Sequence, residues 1–128
     1  DFAGQTLIDF GGNYEESYRV GAEEIHIINK DKHVITAAIK LGIFLQLSNT
    51  HYYVHDLCGY ADRIPACDIG FCFSITHPNN LQQLVRMIKD KVRKILVYES
   101  HDGKDIEPEI SDLFSNVTRI GNLYLCQK

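Results

Sequence analysis

Residues 6–13 of the 128-residue chain are Thr6-Leu7-Ile8-Asp9-Phe10-Gly11-Gly12-Asn13. The apolar first part predicts a short buried β-strand. The two glycines and the asparagine that follow are typical of a sharp turn, because these residues break regular structure. The stretch therefore predicts a first strand that ends in a glycine-containing loop.

Short apolar runs and helix-period stretches alternate after this loop as far as Glu99. We predict four more strands, at residues 24–29, 52–55, 67–73 and 94–98. Between them we predict helices at residues 14–20, from Asp31 to Gly42 and after Pro78-Asn79-Asn80, with a further short helix at Pro108. Such an alternation builds a parallel sheet, whose ligands lie at the carboxyl ends of the strands.

The chain closes on two apolar runs, Val117–Ile120 and Leu123–Cys126, which are separated by Gly121-Asn122. A two-residue connection of this composition favours a primed turn between antiparallel strands. We therefore predict one α/β domain over residues 1–128. It is a three-layer sandwich in which a seven-stranded, mostly parallel mixed sheet ends in an antiparallel β-hairpin.

Composition limits the partners of the chain. The net charge of -4 and a pI near 5.8 disfavour an extended nucleic-acid surface. A local basic cluster near the end of one helix is predicted to be a solvated face; it contains Arg86, Lys89, Lys91, Arg93 and Lys94. The apolar runs are far shorter than the ~20 residues of a membrane-spanning helix, so we expect no membrane segment. A start at Asp1 suggests a fragment of a longer protein.

Cysteines and histidines suggest neither disulfides nor a metal. The four cysteines show no C-x-x-C spacing, and we expect reduced thiols in a cytoplasmic protein. The histidines at positions 26, 33, 51 and 55 lack the spacing typical of metal ligands, so no metal site is predicted.

The loop Asp9-Phe10-Gly11-Gly12-Asn13 resembles the first motif of class I S-adenosylmethionine-dependent methyltransferases. Glycine there lets backbone approach the methionine part of the ligand, and loop amides with the next helix N-terminus can receive its carboxylate. The resemblance implies a Rossmann-like fold and S-adenosylmethionine as the cofactor, bound by all five loop residues. The chain departs from the family at Glu15, where the last glycine of the motif usually stands.

Three further segments extend the resemblance. Asn29, with its neighbour Lys30, lies where the family places an acid that binds the ribose hydroxyls; Asn29 can also simply end a strand. Asp56 and Leu57 correspond to the residues that contact adenine, although Asp56 can instead cap a turn. Phe73 and Ser74 correspond to residues beside the reacting methyl group.

The acceptor side is predicted to begin at residues 75–78. His77 is the best-placed general base, and it can equally be only a helix-entry residue. Glu99 and His101 are secondary candidates. We expect a small-molecule acceptor or a compact group of a larger one. We expect a lid from a second copy of the chain, a partner subunit or a segment outside this sequence.

Two other functions remain open. A methyltransferase-fold module without catalysis, acting in binding or assembly, is consistent with Glu15 and Asn29. A nicotinamide-dependent oxidoreductase is less consistent, because the G-x-G-x-x-G fingerprint is absent.

Overall fold

The computed structural model describes residues 1–12, 14–56, 62–73, 81–100 and 107–128. It contains seven strands: β1 (Thr6–Phe10), β2 (Glu24–Asn29), β3 (Thr50–Val54), β4 (Cys67–Cys72), β5 (Val92–Glu99), β6 (Asn116–Ile120) and β7 (Leu123–Gln127). Its helices are α1 (Glu15–Arg19), α2 (Lys32–Phe44), α3 (Leu81–Lys91) and α4 (Glu107–Ser111). The alternation predicted from the apolar runs is confirmed.

All seven strands form one sheet in the order β3-β2-β1-β4-β5-β7-β6. The first five strands are parallel, with Phe10 opposite Ile28 and Asp9 opposite Phe71. Strand β7 pairs antiparallel with β5 and with β6. Central β1 is buried on both faces because parallel strands in such a fold are covered by helices on each side. The mixed seven-stranded sheet is therefore the predicted one.

Two apolar clusters cover opposite faces of the sheet. One contains Ile8 and Phe10 of β1 with Leu84 and Ile88 of α3. The other contains Leu7, Ile27 of β2 and Ile35 of α2, with Tyr14 and Tyr18 packed against it. The alternation of Leu7 and Ile8 between the two clusters follows from the two-residue period of a strand. The helices on either side complete the three layers of the predicted sandwich.

The terminal hairpin turns at Gly121 and Asn122, since Ile120 pairs directly with Leu123. Gly121 has a φ of 62°, a region that glycine adopts without steric cost. A positive φ at the first central residue is what primed hairpin turns require. The turn predicted from the sequence is confirmed.

Helix α2 does not end at Gly42, as the sequence suggested, but continues to Phe44. A Cβ at position 42 would collide with the hydroxyl of Tyr52, so the glycine serves close packing against β3. The helix ends where Gln46 adopts a φ of 59° and the amide of Leu47 donates to the Gly42 carbonyl. The beginning of α2 is as predicted, because Asp31 accepts a hydrogen bond from the amide of His33.

The basic cluster is not a uniform solvated face. Lys91 is buried, and its ammonium donates to the carbonyl of Ile64. Lys94 pairs with Asp68 at 3.1 Å. These cations are committed within the chain, because a buried ammonium needs an acceptor. Among the described helices, none has both the length and the apolar character needed to cross a bilayer.

Three cysteines, Cys67, Cys72 and Cys126, are buried and are not part of a disulfide, as expected from the apolar runs around them. Burial raises the pKa of Cys67 to about 11, which favours the protonated thiol over the nucleophilic thiolate. The fourth cysteine, Cys58, lies outside the described residues.

Replacing Ile88 by alanine should lower the free energy of unfolding by about 2–5 kcal/mol, because it leaves a cavity under α3. Ile88 is fully buried, whereas Ile43, also in the last turn of a helix, is 71% exposed. Ile43→Ala is the matched control and should change stability by less than about 0.5 kcal/mol. Urea unfolding measures both. Equal losses in the two variants would contradict the described packing of α3.

Candidate functional site

The carboxyl ends of β1, β2, β3 and β4 lie along one edge of the sheet, because these strands are parallel neighbours. The chain places β2 and β3 on one side of β1, and β4 on the other. The connections after β1 and β4 therefore diverge to opposite sides of the sheet. A crevice at such a switch point is where open α/β sheets bind ligands. We refer to this edge as the carboxyl edge.

The loop after β1 is shaped by two glycines. Gly11 has a φ of 76°, and its amide donates to the carbonyl of Ile28 at 2.9 Å. Gly12 is buried, and a Cβ there would lie 2.8 Å from Cγ2 of Ile27. The first glycine thus permits the turn, and the second lets the loop lie directly against β2.

Asn29 fastens this loop to the start of α2. Its Nδ2 donates to the Gly11 carbonyl at 2.9 Å, and its Oδ1 accepts from the Asp31 amide at 2.9 Å. A carboxylate could accept from Asp31 but could not donate to Gly11, so an acid here would lose the first contact. One N–H and one lone pair of the amide group are not used by these two bonds. Asn29 is therefore a bracing residue with limited remaining capacity for a ligand.

Asp9 is a buried carboxyl at the end of β1 and is only 1% exposed. Its Oδ2 accepts from the hydroxyl of Ser17 at 2.6 Å, while its Oδ1 has no partner among the described residues. Burial raises the pKa of Asp9 from 3.8 to about 7, against the opposing effect of the Ser17 hydrogen bond. The sequence did not identify Ser17 as part of the site, because only the packing of α1 brings its hydroxyl to Asp9.

Most of the other predicted site residues that the structure describes also lie at the carboxyl edge. Asp56 and Lys30 are exposed just beyond the ends of β3 and β2, and the amide of His55 donates to the Asn29 carbonyl at 3.0 Å. Phe73 follows β4 and packs against Phe71, with ring centroids 4.9 Å apart and the rings tilted by 41°. Phe10 is different, since its side chain lies fully in the core and only its backbone is available to a ligand.

Four predicted site residues, Asn13, Leu57, Ser74 and His77, lie outside the described part of the chain, as does His101.

Helix α1, which follows the loop, is poorly suited to receive the ligand carboxylate that the sequence analysis expected at its N-terminus. Helix α1 has only five residues, and its first turn carries the exposed carboxylates of Glu15 and Glu16. Two negative charges at that position oppose the binding of a third.

The donor set and shape of the carboxyl edge fit an adenosyl ligand in several respects. The loop after β1 is a cradle without side chains at two successive positions, Gly11 and Gly12. Asp9 holds a buried oxygen without a described partner, and Asn29 retains unused hydrogen-bonding capacity. Asp56 places a carboxylate near the end of β3, the outermost strand.

No family model and no curated protein matches the chain, but solved structures do. The magnesium protoporphyrin IX methyltransferase ChlM of Synechocystis, with bound S-adenosylmethionine, has a TM-score of 0.73 and 14% identity. The 16S rRNA methyltransferase RsmC of Thermus thermophilus, in complex with S-adenosylmethionine and guanosine, has a TM-score of 0.74 and 15% identity. The [4+2]-cyclase SpnF has a TM-score of 0.75 and 15% identity.

These likenesses extend over almost the whole of this chain but only part of each neighbour. They cover 100%, 98% and 91% of this chain and 72%, 38% and 54% of ChlM, RsmC and SpnF respectively. The chain therefore has the Rossmann-like fold of class I methyltransferases, and for RsmC and SpnF it spans less than two thirds of the neighbour's length.

Stability should depend on pH through Asp9. Its pKa in the folded chain, about 7, exceeds the ordinary value of 3.8, so the folded state binds this proton more tightly. The resulting stabilisation is complete below the ordinary pKa and is lost as the pH rises to about 7. The difference in unfolding free energy between the wild type and Asp9→Asn should fall over this range, by on the order of 4 kcal/mol.

Urea unfolding of both proteins at a series of pH values measures this difference, and an NMR titration of the Asp9 carboxyl carbon checks the pKa directly. A difference that stays constant from acid to neutral pH would show that Asp9 titrates normally.

Replacing Asn29 by aspartate should destabilise the chain by about 1–3 kcal/mol at neutral pH, because the Gly11 carbonyl loses its donor. The exposed Asn116 also donates from its side chain, at 3.4 Å to Gln127, so Asn116→Asp is the matched control and should have little effect. Unfolding measurements give both values, and amide hydrogen exchange at Gly12 reports loosening of the loop. An Asn29→Asp variant as stable as the wild type would exclude the bracing role.

Proposed function

We propose that the chain, which has the fold of class I methyltransferases, binds S-adenosylmethionine at the carboxyl edge and transfers its methyl group to a small-molecule acceptor. The observation that carries this proposal is the loop Gly11–Gly12, which is braced by Asn29 at the switch point of the sheet. Two neighbours of the same fold are described in complex with S-adenosylmethionine. Reduced buried thiols are consistent with a protein that acts in the cytoplasm.

Each described residue has a role in this proposal. Gly11 and Gly12 present backbone to the methionine part, and the amide of Asn29 contacts the ribose with the capacity it retains. Asp56 accepts from the adenine amino group, and Phe73 covers the ligand beside the reacting centre. Asp9 accepts the hydrogen bond from Ser17 and so holds α1 against the loop. The predicted roles of Asn13, Leu57 and Ser74 in binding the same ligand remain part of the proposal.

S-adenosylmethionine, when bound, supplies both the methyl group and a good leaving group, so the protein mainly aligns the reactants and excludes water. A general base is needed only for an acceptor that is protonated at neutral pH, and we assign that role to His77. His77 follows β4 in the sequence and lies outside the described residues, so its role is assigned from the sequence alone.

The second candidate is a module of this fold that has lost methyl transfer. Glu15 and Glu16 favour it, because their carboxylates stand in the first turn of α1 beside the loop. The two bonds that Asn29 makes within the chain also favour it, since they leave a weaker ribose contact than a carboxylate provides. The [4+2]-cyclase among the neighbours is consistent with the general rule that a fold does not define a reaction.

Calorimetric titration tests the proposal. S-adenosylmethionine should bind with one site per chain, and NAD should not bind. Asp56→Ala should weaken the binding of S-adenosylmethionine roughly tenfold or more, because it removes a charged acceptor. The control is Asp112→Ala, an exposed aspartate that precedes β6 at the opposite edge of the sheet, and it should leave the affinity unchanged.

Binding of neither ligand would support the module without catalysis. Binding of NAD alone would support an oxidoreductase. Equal affinities of the wild type and Asp56→Ala would remove Asp56 from the site while leaving the rest of the proposal intact.

A further inference from the structure

A second group of polar side chains lies near the starts of β2 and β3, toward the ends of these strands opposite the carboxyl edge. Glu24 and His26 are two residues apart on β2 and therefore point to the same face. His26 pairs in register with His51 of β3. The sequence did not predict this group, because the spacing of the histidines along the chain does not show which strands pair. We call these three residues the Glu24–His26–His51 cluster.

The three side chains converge on one point. Nε2 of His26 and Nε2 of His51 each lie 3.0 Å from the same carboxylate oxygen of Glu24. The two imidazole rings are stacked with centroids 4.7 Å apart. One ligand atom from each residue lies within 4.8 Å of the other two. Among the described residues, this is the group of three whose donor atoms could share one ion.

His26 is held from its other side. Its Nδ1 lies 2.9 Å from the hydroxyl of Tyr53, a contact that fixes the ring orientation. A tyrosine hydroxyl can donate or accept, so it suits either tautomer of the ring. Metal-binding histidines almost always have such a partner on the second ring nitrogen.

The cluster is also accessible. The side chains of His51 and Glu24 are 51% and 43% exposed, while His26 is buried. Bonds of about 2.1 Å to a tetrahedral ion hold two ligand nitrogens roughly 3.4 Å apart. The ligand atoms of the cluster lie within 4.8 Å of one another. His51 lies on β3, the outermost strand, and its exposed ring can rotate to bring its Nε2 to the shorter distance that an ion requires. The open side leaves room for a solvent molecule as the fourth ligand.

We propose that Glu24, His26 and His51 bind one divalent transition-metal ion, with Zn²⁺ as the best match, through Nε2 of each imidazole and the Glu24 carboxylate. Two imidazoles and one carboxylate form a ligand set that zinc prefers, and three protein ligands leave one position open. The ion fastens β3 to β2. Strand β3 has no fully buried residue of its own, so it gains most from such a link. The site lies near the starts of β2 and β3, toward the ends of these strands opposite the carboxyl edge, and it does not depend on the proposed function.

Titration of the tag-free protein with CoCl₂ tests the site, since Co²⁺ replaces Zn²⁺ and its visible absorption reports coordination. One Co²⁺ per chain should bind, with the intense absorption of a four-coordinate or five-coordinate ion, and ZnCl₂ should displace it. ZnCl₂ should also raise the melting temperature of the wild type.

Variants locate the ligands. His51→Ala and Glu24→Gln should each weaken binding at least tenfold, and Tyr53→Phe roughly tenfold or more, since loss of an outer partner costs about 10–100-fold. His33→Ala removes an exposed histidine of α2 and is the matched control, so its affinity should equal that of the wild type. Far-ultraviolet circular dichroism checks that each variant is folded. If His51→Ala does not fold, His51→Gln is used in its place.

Two results would overturn the proposal. One is a wild type that binds Co²⁺ no more tightly than His51→Ala. The other is a thiolate-to-cobalt charge-transfer band, which would place the ion on cysteine instead of on the Glu24–His26–His51 cluster.

Discussion

The structure depends on the burial of β1 between two parallel neighbours. Leu7, Ile8 and Phe10 of this strand are fully buried, and they belong to the clusters on both faces of the sheet. Both edges of β1 are hydrogen-bonded, to β2 and to β4. The backbone can leave such a strand only at its ends, so the loop that follows Phe10 lies at the switch point. The position of the candidate site is a consequence of this packing.

The carboxyl edge combines a preformed loop with polar groups that the chain itself partly uses. Asn29 donates to the loop and accepts from the start of α2. Ser17 partners one oxygen of Asp9 and leaves the other without a described partner. These contacts hold the loop in place through the chain's own side chains. They also account for an amide rather than a carboxylate at position 29, because a carboxylate could not donate to the Gly11 carbonyl.

Several features could be predicted from the sequence, and others could not. The strands, the hairpin at Gly121 and the cap at Asp31 depend on local patterns, and the structure confirms them. The predicted end of α2 was wrong, because Gly42 does not end the helix but allows close packing against Tyr52 of β3. The prediction that the basic cluster is a solvated face was wrong for Lys91, which is buried. Its hydrogen-bond acceptor, the carbonyl of Ile64, is 27 residues away in the chain.

The sequence by itself determined the order of strands and helices, the glycine loop and the closing hairpin, because period, turn chemistry and apolar runs act over a few neighbouring residues. It also determined the last residues of β1 and β2, and it placed the ends of the other strands to within one residue. Only the tertiary structure decided which of the first five strands are neighbours and where the hairpin joins them. That choice brought Ser17 to Asp9, used the amide of Asn29 to brace the loop, and set His26 beside His51. Contacts between residues far apart in the chain depend on strand register and packing, which no local pattern specifies.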